Sequence, residues 1–230
     1  MSLAGILLLW QMQGGAVPEM IATSGPIVRA VLVILLLFSL LSWAIIFQKW
    51  GSFRRARTQM RKFLRAFRKS QLPELNASTD SFRPCPLVEV FESGYEEFTR
   101  QYGPGASRNL EAVTRALKAE ATAQVTLLER RLGWLATTAA ACPFIGLFGT
   151  VVGVVFTLDQ LGVGGGGTPV VVTGVAKALI ATGYGLIVAI LAVIFNNVYT
   201  NTVKRFNDDF LLLKLLFLSF VGSEAAHVGR

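Results

Sequence analysis

The sequence is poor in the residues on which most catalytic and metal sites depend. It has one histidine, His227, and two cysteines, Cys85 and Cys142, that stand far apart in the chain. Zinc sites and Ser/Cys–His catalysis need such residues in clusters. The glycine run at 164–167 lacks the Lys-Ser/Thr that would complete a phosphate-binding loop. We therefore expect that this protein is not an enzyme and holds no metal or other cofactor.

Charge is also scarce, because only 16% of the residues are Asp, Glu, Lys or Arg, and they are unevenly distributed. Three long apolar stretches result, at residues 27–48, 132–158 and 176–199. Each contains the roughly 20 residues that an α-helix needs to cross a hydrocarbon core of about 30 Å. None contains Asp or Glu. The sequence thus predicts an all-α integral membrane protein with three transmembrane helices.

Positive charge orients these spans. Of the 22 Lys and Arg residues, 16 lie between Lys49 and Arg131, and loops rich in such residues stay in the cytoplasm. The N-terminus is then outside and the C-terminus inside. The remaining segments are predicted as a periplasmic or interfacial N-terminal segment (1–26), a basic cytoplasmic helical region (49–131), a short periplasmic loop (159–175) and a cytoplasmic C-terminal helix (200–230).

The basic run that follows the first span allows two interpretations. Aromatic side chains between cations are typical of nucleic-acid surfaces. However, Phe53, Met60, Leu64 and Phe67 recur at helical spacing, which indicates an amphipathic helix leaving the membrane with its arginines in water or near anionic lipid headgroups. The orientation favours the second interpretation, so membrane lipid is an expected partner and nucleic acid is not.

The rest of the basic region divides into a linker and two helices. Proline and serine predict a linker that ends near residue 86, and the Gly-Pro-Gly at 103–105 separates the two helices. An apolar stripe from Leu110 to Leu132 continues without a glycine or proline into the second span. This stripe predicts that the second spanning helix projects far into the cytoplasm and joins a helical bundle there.

Small and hydroxylated residues follow one face of the second and third spans. Such a face is typical of tight helix packing, but hydroxyls also line polar paths at a lower cost than a buried charge. Both interpretations stay open. A proton relay at membrane depth normally needs a carboxylate, so in a channel another subunit must supply it. The candidate pathway residues are Pro143, Gly146, Thr150, Thr157, Thr182, Gly185 and Asn196, and the candidate packing residues are Gly149 and Gly153.

Four stretches of sequence carry a resemblance. They are CPFIGLFGTVVG at 142–153, VAKALIATGYGL at 175–186, SWAIIFQ at 42–48 and FESGYEEF at 91–98. The first two are similar to the second-span and third-span signatures of the MotA/TolQ/ExbB family of proton-channel subunits. The other two look most like its TolQ branch. Together they lie in the same order as in the family and cover most of the chain.

The resemblance implies an assembly in the bacterial inner membrane. A homo-oligomer of five copies would surround a pair of single-span TolR- or ExbD-like helices, each with one Asp at membrane depth. By position, Thr150 and Thr182 correspond to the family's pore-facing threonines. A TolA- or TonB-like protein would pass the work across the periplasm. The implied function is proton-driven work on the cell envelope, as in Tol-Pal envelope integrity and cell division.

Two positions depart from the family pattern. Lys177 stands where the family usually has Glu, and Val152 replaces a Trp, so a role carried over from that Glu is in doubt. An ExbB-like subunit that energises outer-membrane transport is the close alternative. A flagellar-stator subunit fits less well, because those subunits have four spans. A non-conducting membrane scaffold is the alternative of a different class.

Overall fold

The structure is a computed structural model that describes residues 25–102, 109–164 and 168–228. Within these ranges the chain is helical and contains no β-strand. It forms six α-helices and one short 3-10 helix, in the order α1 (Pro26–Phe67), α2 (Leu72–Ala77), the 3-10 helix (Thr79–Phe82), α3 (Pro86–Tyr102), α4 (Leu110–Glu129), α5 (Leu132–Gly164) and α6 (Thr168–Val228).

Three of these helices are long and apolar enough to span a membrane. They are α1, the Leu132–Asp159 part of α5 and the Val171–Gly222 part of α6. Each contains one of the three stretches predicted from the sequence, so the prediction of an all-α chain with three candidate spans is confirmed. Large apolar side chains such as Phe144, Val155 and Leu179 are more than half exposed, as expected of helices whose surroundings include lipid.

The chain divides into two compact units. The first consists of the described residues of Met1–Ile45 and Trp134–Asn196, and the second of the described residues of Ile46–Gly133 and Asn197–Arg230. We call the first the apolar unit, because Arg29, Asp159 and Lys177 are the charged residues in its described part. We call the second the charged unit.

In the apolar unit, α1, α5 and α6 pack through small and branched side chains. Its main core cluster contains no buried aromatic ring, although the partly buried Phe38 and Tyr184 pack against it. The buried members are Val31, Leu35, Cys142, Ala181, Val188 and Ala189. Helices α5 and α6 run antiparallel, because Gly153 lies against Ala178 while Cys142 lies against Gly185. Close approach of backbones is the usual way in which helices associate in lipid.

In the charged unit, the core is built from phenylalanine rings. Phe91 of α3 lies at its centre, with ring centroids 5.6 Å from Phe63, 5.9 Å from Phe67 and 5.8 Å from Phe217. All three contacts are edge-to-face, which is a preferred geometry for aromatic pairs. Helix α1 supplies two of these rings. Phe67 belongs to the predicted amphipathic stripe and Phe63 does not, and Arg65 between them is exposed.

Helices α3 and α4 pack closely because α3 contains a glycine. A Cβ atom at Gly94 would overlap the side chain of Leu117, which is fully buried. Helix α4 begins at an N-cap, where the Asn109 side chain accepts hydrogen bonds from the backbone N–H groups of Glu111 (3.0 Å) and Ala112 (3.1 Å). These bonds satisfy two donors that the first helical turn leaves free.

The prediction of an unbroken helix from the basic region into the second span is wrong. Helix α4 ends at Glu129 and α5 begins at Leu132. Between them Arg131 adopts φ 74°, a left-handed conformation that ends an α-helix and that side chains other than glycine adopt only at a cost. Lys49 of α1 donates to the backbone oxygen of Leu128 at 2.6 Å, satisfying a carbonyl in the last turn of α4.

Three other segments differ from their predictions. The linker before Pro86 is folded into α2 and the 3-10 helix, with Leu72 and Leu75 buried. The predicted loop of residues 159–175 is mostly helical, because α5 extends to Gly164 and α6 starts at Thr168. Pro169 occupies the first turn of α6, where the missing N–H of proline costs no hydrogen bond. The predicted C-terminal helix continues α6, since neither glycine nor proline interrupts the chain between Tyr199 and Val221.

Two further predictions lie outside the described residues. They are the conformation of the N-terminal segment up to residue 24, and the Gly-Pro-Gly separation at residues 103–105. Of the glycine run at 164–167, Gly164 is the last residue of α5, and the other three positions also lie outside the described ranges.

Candidate functional site

Two threonine hydroxyls meet where α5 and α6 cross. The Oγ1 atoms of Thr150 and Thr182 are 3.3 Å apart. Thr182 Oγ1 also lies 3.0 Å from the backbone oxygen of Gly146 and donates to it. Thr150 Oγ1 donates to the backbone oxygen of Leu147 on its own helix at 2.7 Å. Thr150 is 9% exposed and Thr182 is half-buried, so the structure places a small polar cluster inside an apolar helix pair.

The protons of these two hydroxyls can be arranged in more than one way. Each hydroxyl donates one proton and accepts at two lone pairs. When Thr182 donates to Gly146 and Thr150 donates to Leu147, both protons are used, and each oxygen still accepts. Rotation of the Thr182 hydroxyl redirects its proton to Thr150. The pair can therefore accept from water or a protonated carboxyl group, and can donate to a carboxylate, without carrying charge itself.

Glycines bring the two helices close enough for this contact. A Cβ atom at Gly146 would stand 2.8 Å from the backbone oxygen of Ala181, and one at Gly185 would stand 2.6 Å from the backbone oxygen of Cys142. Both separations are shorter than van der Waals contact. Pro143 lies inside α5 between these crossings, and its missing N–H leaves the carbonyl four residues earlier without the usual helical bond.

The remaining small residues of α5 make packing contacts. A Cβ atom at Gly149 would lie 2.9 Å from Val31 Cγ1, and one at Gly153 would lie 2.7 Å from Ala178 Cβ. Thr157 is buried and donates to the backbone oxygen of Gly153 at 2.8 Å. Its hydroxyl is thus bonded within its own helix, about 10 Å along the axis from Thr150.

Asn196 stands apart from the hydroxyl pair. It is half-buried and follows Thr182 by 14 residues of α6, which corresponds to about 21 Å along the helix. The predicted pathway residues therefore fall into two sets. The first set meets at one helix crossing and consists of Thr150, Thr182, Gly146 and Gly185, with Pro143 beside it. The second set lies further along the two helices and consists of Thr157 and Asn196.

No charged side chain is present at this crossing in the described structure. Residues 134–158 and 178–196 contain no Asp, Glu, Lys or Arg. Asp159 is exposed at the far end of α5, and Lys177 is half-buried one residue before the helix contact at Ala178. The hydroxyl pair is therefore polar but uncharged, and a titrating group would have to come from outside these two segments.

A cleft of about 410 Å³ in the charged unit offers no comparable chemistry. Cys85 lines it together with Arg83 and Glu89. Burial raises the pKa of the Cys85 thiol to about 11, so the thiol stays protonated and unreactive at neutral pH. Arg83 is within 3.1 Å of the carboxylates of Asp80, Glu89 and Glu92. The charge of Arg83 is thus compensated by carboxylates of the same unit, of which Glu89 also lines the cleft.

Comparison with known proteins identifies the family of the chain that contains this crossing. Residues 86–210, which include both threonines, match the model of the MotA/TolQ/ExbB proton channel family. The chain belongs to the MotA/TolQ/ExbB family. The resemblance inferred from the sequence motifs is thereby confirmed.

Its relatives within this family include TolQ and ExbB proteins. The chain is 34% identical to the Tol-Pal system protein TolQ of Haemophilus influenzae, over 80% of this chain and 84% of the relative. It is 33% identical to TolQ of Pseudomonas aeruginosa, over 78% and 80%. It is 30% identical to the biopolymer transport protein ExbB of Salmonella typhimurium, over 78% and 75%. The TolQ relatives are the more similar.

The sequence did not predict the environments of two hydroxyl groups, those of Ser42 in the first span and of Tyr199, which contacts α1. The Ser42 hydroxyl is buried and finds no hydrogen-bond partner among the described residues. The Tyr199 hydroxyl donates to the backbone oxygen of Ile46 at 2.7 Å. The sequence assigned Tyr199 only as the last residue of a predicted span. Its hydrogen bond could not be predicted, because Ile46 is 153 positions away in the chain and no local pattern indicates such a contact.

Proposed function

We propose that this chain is the proton-conducting subunit of a TolQ-type motor in the bacterial inner membrane. It crosses the membrane three times, with the N-terminus in the periplasm, and couples the proton-motive force to envelope integrity and division. It acts as a transport subunit and not as an enzyme. The observation that supports this most directly is the contact of the Thr150 and Thr182 hydroxyls in an uncharged part of the membrane helices.

The hydroxyl pair has the properties that a proton path needs beside a titrating group. A carboxylate at membrane depth is costly unless polar groups face it. Two hydroxyls that rotate between backbone and external acceptors provide such groups without a charge of their own. In this mechanism an Asp of a single-span TolR- or ExbD-like partner accepts a proton beside the pair. Loss of its charge then lets the partner helix move past the apolar wall.

An oligomer is needed because one chain does not enclose a path. The exposed side chains of α5 and α6 include Phe148, Val151, Ile187 and Ile190, all of which are more than half exposed. In the proposed assembly such surfaces face lipid and neighbouring copies. Five copies surround a pair of partner helices, and a TolA-like protein carries the work across the periplasm.

An ExbB-like role in outer-membrane transport is the second candidate. It is supported by the similarity to ExbB of Salmonella typhimurium, which covers almost as much of the chain as the similarity to TolQ. The two candidates share the conducting site and differ in the partner that receives the work. Co-purification with a TolA-like or a TonB-like protein distinguishes them.

Proton uptake into liposomes tests the conducting role. The chain is reconstituted with its single-span partner, and flux is compared between the wild type and the variants Thr150→Val and Thr182→Val. Each change removes a hydroxyl at nearly constant volume. We expect a loss of flux of at least tenfold in either variant, since a positioned group for proton transfer typically contributes about 10²–10⁴-fold to a rate.

Thr138→Val is the matched control. Thr138 is also a buried threonine of α5 and donates only to its own helix, at Trp134. Its replacement should leave flux within about twofold of wild type, and Thr150→Ser, which keeps the hydroxyl, should retain conduction. Normal flux in both valine variants, or no flux with any single-span partner, would instead identify the threonines as packing residues and the protein as a scaffold.

A further inference from the structure

An open cleft beside α1 collects positive charge that no carboxylate of the described residues neutralises. The cleft has a volume of about 330 Å³ and is lined by five residues, none of them acidic: Arg54, Arg55, Thr58, Gln59 and Pro84. The Thr58 hydroxyl donates to the backbone oxygen of Arg54 at 3.0 Å, and its oxygen can still accept a hydrogen bond. The cleft therefore presents two guanidinium groups and a primary amide to whatever enters it.

The two arginines differ from the nearby Arg83 in having no internal counter-charge. Arg83 forms three ion pairs. Among the described residues, no carboxylate lies within 4.0 Å of Arg54 or Arg55, and both side chains are exposed. Their five guanidinium donors each are thus available to an anion from outside the chain.

The position of the cleft along α1 indicates where that anion comes from. The Arg54 guanidinium lies over the ring of Trp50, 5.6 Å from its centroid, and Trp50 is 55% exposed. Exposed tryptophan is typical of the membrane–water interface. Arg54 follows Phe47, near the end of the first span, by seven residues, or about 10 Å of helix. A long arginine side chain at that distance reaches the headgroup layer, which is roughly 5–8 Å thick on each side.

We propose that this cleft binds the phosphate of an anionic phospholipid in the cytoplasmic leaflet. Guanidinium groups bind phosphate oxygens in a planar, two-bond geometry. The Gln59 amide stands beside them and can bond to a headgroup hydroxyl. Since no carboxylate lines the cleft, it selects phosphatidylglycerol, which has a net negative charge, over zwitterionic phosphatidylcholine.

Two other arginines, Arg65 near the end of α1 and Arg68 just beyond it, are too far from the first span to share this role. They follow Phe47 by 18 and 21 residues, which corresponds to about 27 Å and 32 Å at the helical rise. The attraction to an anionic surface decays within a Debye length of about 8 Å at physiological salt. Both residues are exposed, as Arg54 and Arg55 are, which makes them a matched control for loss of charge.

Native mass spectrometry of the purified full-length chain with added phosphatidylglycerol measures the site. Arg54→Gln/Arg55→Gln should weaken lipid binding about tenfold, since each cation near an anionic surface contributes substantially to attachment. Arg65→Gln/Arg68→Gln removes the same charge and should change binding less than twofold. Circular dichroism establishes that both variants keep the wild-type helix content.

Two further measurements, binding of a zwitterionic lipid and competition by soluble phosphates, identify the ligand. Phosphatidylcholine should bind at least tenfold more weakly than phosphatidylglycerol, and this difference should vanish in Arg54→Gln/Arg55→Gln. Inorganic phosphate and glycerol phosphate at millimolar concentration should not displace the lipid. The proposal is overturned if the two double variants lose binding equally, if neither loses binding, or if soluble phosphate competes as effectively as lipid. The cytoplasmic leaflet rests on the proposed orientation, but lipid binding is measured without proton flux, so its failure is distinguishable from a failure of the conducting role.

Discussion

The two units of this chain hold their helices together by opposite means. The apolar unit brings backbones into contact at glycines such as Gly146 and Gly185, whereas the charged unit buries phenylalanine rings around Phe91. The physical reason is the solvent. In water, burial of an aromatic ring is strongly favourable. In lipid, the surroundings are as apolar as the side chain, so that close packing and hydrogen bonds have to supply the attraction.

The largest expected effect is in the charged unit. Phe91→Ala removes a fully buried ring that contacts four other aromatic side chains. Loss of a buried phenylalanine costs about 3–5 kcal/mol of unfolding free energy, so the melting temperature in mild detergent should fall by about 10 °C. Phe144→Ala, at a ring that is 72% exposed in the apolar unit, should shift it by less than about 2 °C. Equal shifts would show that the contrast between the units is wrong.

A smaller effect is expected at the helix crossing of the apolar unit. Gly185→Ala places a methyl group 2.6 Å from the backbone oxygen of Cys142, so α5 and α6 must separate. Overpacking of this kind costs about 1–3 kcal/mol. Flux should decrease along with thermal stability, because the Thr150–Thr182 contact is stretched.

Gly183→Ala is the control for this change. It lies two residues away on the same helix, and a Cβ atom there meets nothing within 4 Å. Alanine should therefore be neutral or slightly stabilising at this position, because it favours helix more than glycine does. If both alanine variants conduct and melt as the wild type does, the close crossing is not required.

Gly94 of the charged unit tests the contrast between the two units at a glycine that faces a side chain. At Gly94 the added methyl group would overlap the Leu117 side chain and not a backbone atom. Gly94→Ala should destabilise the wild type by about 1 kcal/mol, but should be neutral or stabilising in a Leu117→Ala background, where the side chain is removed. A double-mutant cycle of melting temperatures measures this coupling. Additive effects would mean that the two helices do not meet at this pair.

The smallest expected effect is the pH dependence contributed by Cys85. Its pKa is raised by burial from 9.0 to about 11, so between these values the unfolded chain loses its thiol proton and the folded chain keeps it. The folded state then binds more protons, and its stability falls as pH rises through this window. Cys85→Ala should melt with a flatter pH dependence between pH 9 and 11. An identical slope in the variant would contradict the raised pKa.

Periodic patterns made the spans and the amphipathic part of α1 predictable from the sequence. Phe53, Met60 and Phe67 are buried as their spacing predicted, whereas Leu64 of the same predicted stripe is half-buried. A helix places such positions on one side whatever it packs against. The break at Arg131 was not predictable in this way. A left-handed residue that is neither glycine nor asparagine leaves no compositional signal, and contacts with α1, such as the bond from Lys49 to Leu128, occur only in the folded unit.

The candidate site also combines features that the sequence determines with a contact that only the tertiary structure decides. The sequence by itself determined that α5 and α6 carry small and hydroxylated residues in uncharged spans, and its motifs identified the family. Only the tertiary structure decided which of those residues meet. Thr150 and Thr182 are 32 positions apart in the chain, and their contact depends on the register of two antiparallel helices set by Gly146 and Gly185. Thr157 and Asn196 satisfy the same pattern but lie elsewhere, because periodicity fixes the face of one helix and not its alignment with another.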